Sequence, residues 1–213
     1  MGKKPPWGAA RMVRLGISVE GTTEVRFIEM LITPYLLNKG IYIQPISIEG
    51  KVGLDRIRSE LKKMAASFDY ITTFYDFYGF KGVDTNTETK ESLEQKILNS
   101  VHTSIQPRLI PYIQMYEFEG ILFASPTAMQ DELTTRIKVP INDWANKILS
   151  DFQNNPEKIN NSKQTAPSKR LLAATNYRKT THGPNIAKAA GLAELRSKCA
   201  GFNHWLAQLE QLA

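Results

Sequence analysis

Carboxylates follow several of the short apolar runs that read as β-strands in this sequence. The acidic residues placed in this way are Glu20, Asp76, Glu117 and Glu119. In open α/β sheets ligands bind at the carboxyl ends of the strands, so we expect these side chains to meet at one edge of a sheet. Neighbouring carboxylates raise one another's pKa unless a cation lies among them. Hard oxygen ligands suit Mg²⁺ or Mn²⁺, and the chemistry that fits is metal-assisted attack on a phosphodiester.

Basic residues form the second feature. The formal net charge is +6 and the pI is about 9.3, but residues 1–16 carry +4, residues 158–198 carry +8 and the rest carries −6. This asymmetry favours a polyanionic partner, most simply nucleic acid, although an ordinary solvated surface would explain it equally well. The candidate contacts to nucleic acid are Lys163, Lys169, Arg170, Arg178, Lys179 and His182. We expect Lys169 and Arg170 to be catalytic, because a cation can stabilise the charge of a phosphoryl transition state.

Composition excludes several other classes. The single cysteine, Cys199, leaves no intrachain disulfide and no Cys-rich zinc site. A reducing, cytoplasmic location is therefore the expectation. The chain offers no signal peptide and no apolar stretch long enough to span a bilayer. It has neither a Walker A motif nor a GxGxxG motif, so ATP binding is not expected.

The elements that must position these residues alternate between strand and helix. The predicted strands are 13–19, 41–48, 70–75 and 109–116, with Pro45 marking the second as an edge or a bulge. Amphipathic helices lie between them: Thr22 or Thr23 caps the first, and Pro34 kinks or ends it. The alternation predicts a three-layer α/β fold around a mainly parallel sheet of four or more strands.

Helical patterns fill the rest of the chain, including a helix that has Pro184 at its first position. We therefore divide the chain into a basic N-terminal arm (residues 1–12), an α/β domain (13–126) and a basic helical extension packed on it (127–213).

Two motifs resemble those of Toprim domains, whose fold is Rossmann-like. VEGTTE at residues 19–24 looks like the first motif, and Asp76 takes the place of the first Asp of the Asp-x-Asp motif. With YEFEGILFA near 116–124 and TAPSKRLL near 165–172, the layout is similar to an uncharacterised bacterial Toprim-like family related to the OLD-type nucleases. That family is often encoded beside an ABC-type or AAA ATPase. The resemblance covers most of the chain from residue 13 onward.

The resemblance implies a metal-dependent nuclease centre, with Glu20 as a metal ligand or general acid/base and Asp76 as a second ligand. Tyr78 stands where the motif has its second Asp, so Asp84 or Glu119 would have to replace it. Glu24, one helical turn after Glu20, is a further candidate ligand.

Three functions follow from these observations. The first is a metal-dependent nuclease, either on its own or as the nuclease component of an ATPase-coupled phage-defence system. The second is a catalytically degenerate module that binds nucleic acid or an ATPase partner. The third is a phosphotransfer enzyme or phosphate-ester hydrolase acting on a small substrate. The oligomeric state is left open.

Overall fold

A parallel β-sheet forms the centre of the protein. The structure, a computed structural model, describes residues 12–49, 52–82, 84 and 87–213, so the predicted basic arm lies outside it apart from Met12. The strands are β1 (Val13–Val19), β2 (Ile41–Ser47), β3 (Tyr70–Asp76), β4 (Leu109–Ile110) and β5 (Ile113–Gln114). Their order is β2-β1-β3-β4, with β5 also paired to β3. Every pairing between these five strands is parallel, which confirms the predicted α/β fold.

Helices cover both faces of this sheet. The α-helices are α1 (Thr22–Phe27), α2 (Thr33–Leu37), α3 (Leu54–Met64), α4 (Lys90–Ser100), α5 (Glu119–Leu122), α6 (Pro126–Glu132), α7 (Ile141–Asp151), α8 (Pro167–Ala174), α9 (Lys179–Lys198) and α10 (Ala200–Glu210). Side chains of β3 alternate between the faces, as the two-residue period of a strand requires. Phe74 packs in the larger apolar cluster with helices α1 and α10, whereas Tyr75 packs in a second cluster with α3 and α4.

The C-terminal helices share this core with the strands. The ring of Phe27 in α1 lies 5.1 Å from that of Phe118 and 6.0 Å from that of Phe202 in α10. Trp205 of α10 donates its indole N–H to the Thr72 hydroxyl of β3 at 2.9 Å. The predicted helical extension therefore packs directly on the sheet.

The predictions for the first helix need correction. Gly21, and neither Thr22 nor Thr23, is at the N-terminal cap of α1, and the Glu24 carboxylate accepts a hydrogen bond from its N–H at 2.9 Å. The helical path continues past Pro34 as α2, after a π-helical turn at Ile28–Ile32. Proline is tolerated there because it lies in the first turn of the new segment, where its missing N–H costs little.

The predicted fourth strand is two short strands. Pro111 and Tyr112 separate β4 from β5, because proline has no N–H for a strand ladder. The Thr73 hydroxyl takes over the missing pairing: it accepts from the Tyr112 N–H at 2.8 Å and donates to the Tyr112 carbonyl at 2.9 Å. The chain then leaves the sheet after Gln114, so Glu117 and Glu119 lie beyond the strand end, on a turn and at the start of α5.

Helix α9 begins five residues earlier than predicted, which places Pro184 inside it. Proline has no N–H to offer the Thr180 carbonyl one turn before, and Arg26 of α1 donates to that carbonyl at 2.6 Å. Gly183 leaves room for Tyr177 and Phe118, since a Cβ at this position would lie 2.9 Å from the Tyr177 hydroxyl oxygen and 3.0 Å from Phe118 Cε1. The early start is what brings Lys179 towards α1.

Among the described residues, no helix is both long and apolar enough to cross a membrane.

Candidate functional site

Four acidic side chains gather around one lysine at the carboxyl edge of the sheet. We call Glu20, Glu24, Asp76 and Glu119 the acidic cluster. The Lys179 Nζ lies 3.6 Å from Glu24 Oε1 and 3.8 Å from both Asp76 Oδ2 and Glu119 Oε1. These three residues are deeply buried, at 2%, 5% and 0% exposed, whereas the Lys179 side chain is 45% exposed. The site is therefore a recessed acidic floor, with the Lys179 ammonium between the carboxylates and part of the Lys179 side chain exposed.

Backbone and side-chain hydrogen bonds hold two of the carboxylates in place. Asp76 is the last residue of β3, and its Oδ1 accepts from the Phe118 N–H at 2.7 Å. Glu119 is the first residue of α5, and its Oε1 accepts from the Tyr177 hydroxyl at 3.3 Å. Tyr116 adopts φ 59°, and this left-handed turn redirects the chain between β5 and α5. The carboxylates are thus fixed by elements far apart in sequence.

The other two carboxylates come from the turn after β1. Glu24 Oε2 is held by the Gly21 N–H, which leaves Oε1 facing Lys179. Glu20 lies against Gly79: a Cβ on Gly79 would overlap Glu20 Oε2 and lie 3.1 Å from its Cδ. A residue larger than glycine at position 79 would displace the Glu20 carboxylate.

The electrostatics of the cluster are dominated by burial. Burial away from water raises the pKa of Glu20, Asp76 and Glu119, and it raises that of Asp76 well above its usual value. The positive charge of Lys179 lowers these three pKa values in part, whereas the neighbouring carboxylates raise them further. Burial alone would lower the pKa of Lys179, but the surrounding carboxylates outweigh it and the pKa is raised. The single positive charge of Lys179 therefore cannot neutralise all the carboxylates around it.

Three carboxylate oxygens in the cluster are buried without any hydrogen-bond partner: Glu20 Oε2, Glu24 Oε1 and Glu119 Oε2. Buried polar atoms are satisfied in the great majority of proteins, and exceptions concentrate where a ligand, an ion or strain belongs. The donor set consists of carboxylate oxygens, which suits a hard divalent cation. In the described residues no group of three or more Asp, Glu, His or Cys side chains is arranged to hold a metal ion as it stands. Carboxylate oxygens are ligands that suit Mg²⁺ or Mn²⁺, but in this structure the Lys179 ammonium occupies the position between them.

The remaining acidic candidates lie apart from Lys179. Glu117 is half-buried, and its Oε2 accepts from the Ser168 N–H at 2.8 Å, at the start of α8. Asp84 is exposed in the loop before α4, where its carbonyl accepts from the Glu88 N–H. Their assignment as metal ligands stays a prediction.

The two basic residues expected to be catalytic have different surroundings. Arg170 donates its Nε–H to the Thr165 carbonyl at 2.7 Å, and its guanidinium lies 5.3 Å from the centre of the Phe152 ring. Lys169 is exposed in α8. The basic residue that the structure brings into contact with the cluster is Lys179, which the sequence offered only as one of six nucleic-acid contacts.

The other predicted nucleic-acid contacts lie in the turn before α8 and at the start of α9. Lys163 is exposed, and its Nζ lies 5.6 Å from the centre of the Tyr78 ring. Arg178 is exposed, and its N–H donates to His182 Nδ1 at 3.1 Å at the start of α9. This bond gives His182 a capping role in the helix.

Sequence reasoning missed Gly79 and Tyr177. Gly79 could have been noticed as a glycine three residues after Asp76, but its need for space depends on Glu20. Tyr177 lies two residues before Lys179, and nothing in its neighbourhood distinguishes it from a core tyrosine.

A family described as a domain of unknown function (DUF4276) has a model that matches residues 19–210, which is more than half of the chain. No curated protein matches the sequence, and neither does any solved structure.

Proposed function

The chain belongs to the DUF4276 family, and we propose that it is a Mg²⁺- or Mn²⁺-dependent hydrolase of phosphodiester bonds in nucleic acid. The observation that carries this proposal is the set of three buried carboxylate oxygens without a hydrogen-bond partner, Glu20 Oε2, Glu24 Oε1 and Glu119 Oε2, of which Glu24 Oε1 forms an ion pair with Lys179 at 3.6 Å. A purely structural cluster would satisfy such buried oxygens with hydrogen-bond donors. A site that binds a cation needs carboxylate oxygens that no hydrogen-bond donor holds.

Each residue of the cluster then has a role. Glu20, Glu24, Asp76 and Glu119 would hold the metal. A bound divalent ion polarises the phosphoryl oxygens and lowers the pKa of a water molecule. The Phe118 N–H and the Tyr177 hydroxyl keep Asp76 and Glu119 oriented.

Lys179 has a dual role in this proposal. Without metal its ammonium compensates the carboxylates. When a bound metal balances the charge of the carboxylates, the same ammonium, carried by a side chain that is 45% exposed, can pair with a phosphoryl oxygen and stabilise the transition state. We therefore propose Lys179 for the part first expected of Lys169 and Arg170.

The wider setting follows from the likeness to Toprim domains and OLD-type nucleases. We propose that the protein works in the cytoplasm as the nuclease component of an ATPase-coupled defence system. The buried, unpaired Cys199 is compatible with a reducing compartment. Exposed Lys163, Lys169 and Arg178 would serve as contacts to nucleic-acid phosphates.

Two observations favour a second candidate, a degenerate module that binds nucleic acid or an ATPase without cleaving. Tyr78 replaces an expected carboxylate, and Lys179 already occupies the centre of the cluster. In that case Lys179 is a permanent counter-ion.

Cleavage assays separate the candidates. Wild-type protein, Glu20→Gln, Asp76→Asn and, as a control, Lys62→Gln at an exposed position of α3 are incubated with DNA, with RNA and with a small phosphodiester, in Mg²⁺, Mn²⁺ or EDTA. Nucleic-acid cleavage that needs metal, is lost in the two cluster variants and survives in Lys62→Gln supports the nuclease. Salt-sensitive binding without cleavage supports the degenerate module, and cleavage of the small ester alone indicates a small-substrate hydrolase. Equal activity in all four proteins would indicate a contaminant and refute the proposal.

A further inference from the structure

Two tyrosine rings stand at the edge of the acidic cluster. Tyr78 lies two residues after Asp76 and next to Gly79, which abuts Glu20. Tyr116 directly precedes Glu117. The Tyr78 N–H donates to the Tyr116 carbonyl at 3.0 Å, and the ring centres are 5.4 Å apart. We call this pair of rings the tyrosine platform.

Exposure distinguishes the platform from the aromatic residues around it. Phe74, Tyr75, Phe77 and Phe80 are 0%, 0%, 3% and 7% exposed and belong to the two apolar clusters. Tyr78, in the middle of the same run, is only half-buried, and so is Tyr116. Tyr78 and Tyr116 pack against the second apolar cluster on one side. Core packing therefore accounts for that side of the pair, but not for the part of the two rings left in water beside a recessed site.

Polar groups next to the platform suit a nucleotide. The exposed Lys163 places its ammonium over the Tyr78 ring, 5.6 Å from the ring centre, and its flexible side chain can move aside to pair with a phosphate of a strand that crosses the ring. Burial raises the pKa of the Tyr78 hydroxyl, and the Asn160 side chain opposes this in part. Asn160 Oδ1 is itself buried without a partner, which leaves an acceptor for the amino group of a base.

We propose that the tyrosine platform stacks on an unpaired base next to the scissile phosphate, so that the substrate class is single-stranded nucleic acid. The inference rests on the proposed function, because it takes the acidic cluster as the reacting centre. In a duplex both faces of a base are covered by its neighbours, whereas every base of a single strand offers a face to an aromatic ring. A recessed cluster, with Glu119 fully buried, also favours a flexible single strand over a rigid duplex.

Binding, measured apart from cleavage, tests this inference. Fluorescence anisotropy gives the Kd for labelled oligothymidylate, oligouridylate and a blunt DNA duplex, with Ca²⁺ in place of Mg²⁺. The variants are Tyr78→Ala and Tyr78→Phe. Tyr42→Ala is the matched control, because Tyr42 is 46% exposed near the start of β2, at the opposite end of the strands from the cluster.

We expect Tyr78→Ala to weaken binding of one or both single strands by about fivefold to a hundredfold and to leave duplex binding unchanged. Tyr78→Phe and Tyr42→Ala should bind like wild type. Whichever single strand responds identifies DNA, RNA or both. Unchanged single-strand affinity in Tyr78→Ala, an equal loss for duplex, or no single-strand binding by wild type would each overturn the inference.

Thermal melting of Tyr78→Ala checks that it is folded, and a melting temperature close to that of wild type is the expected result. Hydrolysis of a small phosphodiester in Mn²⁺ tests the proposed function separately, because that substrate has no base. Intact single-strand binding with no cleavage of DNA, RNA or the small phosphodiester would refute the enzyme and leave the platform standing as a binding surface.

Discussion

Replacing Gly79 with Ala tests whether the exact place of the Glu20 carboxylate matters. The new Cβ would overlap Glu20 Oε2 and lie 3.1 Å from Cδ and 3.4 Å from Oε1. Carbon atoms in contact prefer about 3.5–4.0 Å, so the carboxylate must shift by about 1 Å. The Glu20 side chain has rotatable bonds that permit this movement, whereas the backbone at Gly79 gives no reason for strain: its φ is not in the left-handed region.

The expected result is a loss of activity without a loss of stability. A shift of about 1 Å in a group that positions reactants costs about a hundredfold in rate. Exchange of Gly for Ala at an unstrained position stabilises by about 0.4–1 kcal/mol through the unfolded state, which offsets the cost of moving one carboxylate. We therefore expect metal-dependent cleavage to fall about a hundredfold, while the melting temperature changes by no more than about 4 °C.

The assay compares cleavage rates at saturating Mg²⁺ with melting curves for the same preparations. Gly53→Ala is the matched control, because a Cβ at Gly53 meets no atom within 4 Å and should leave the rate unchanged. Full activity in Gly79→Ala, beside an inactive Glu20→Gln, would show that the position of Glu20 is not constrained by Gly79 and would refute this reasoning.

Three further outcomes are expected. Burial raises the pKa of Asp76 in the folded state above its ordinary value of 3.8. At pH values between these two, the folded state binds more protons than the unfolded state. The free energy of unfolding therefore falls as the pH rises through this range. Asp76→Asn removes this pH-dependent loss of stability. In EDTA at neutral pH, the variant should melt about 2–4 °C higher than wild type, and it should no longer cleave nucleic acid. A melting temperature lower than that of wild type would contradict the electrostatic argument. Lys179→Met removes the ammonium shared by three carboxylates. In EDTA this variant should lose more of its free energy of unfolding at neutral pH than at acidic pH, and Mn²⁺ should stabilise it more than it stabilises wild type. Equal losses at both pH values would argue against a counter-ion role for Lys179. Glu157 accepts from the N–H groups of Gly201 and Phe202 at the start of α10, so Glu157→Gln should cost about 1–2 kcal/mol in urea unfolding, against no change for the exposed Glu29→Gln; a cost equal to that of the control would exclude the capping role.

Much of the fold could be predicted because its signals are local. Apolar alternation marks β1 and β3, and Pro45 correctly marks β2 as an edge strand, since an edge tolerates a residue without an N–H. The first residues of the helices were harder to predict. The first turn of α1 depends on Glu24 reaching back to Gly21, and the start of α9 depends on Arg26 satisfying a carbonyl more than a hundred residues away in the chain.

By itself, the sequence determined the parallel α/β layout and the placement of Glu20 and Asp76 at the ends of two strands, because side-chain periodicity and strand ends are properties of short segments. That these two strands are neighbours was decided by the tertiary structure. Only the tertiary structure decided which cation joins the carboxylates. Lys169 and Lys179 look alike in the sequence, but the packing of α9 on α1 brings Lys179 alone of the two into contact with the cluster. The same holds for Glu117 and Glu119: two residues apart, one binds the start of α8 and the other faces Lys179, because the turn at Tyr116 sets their directions.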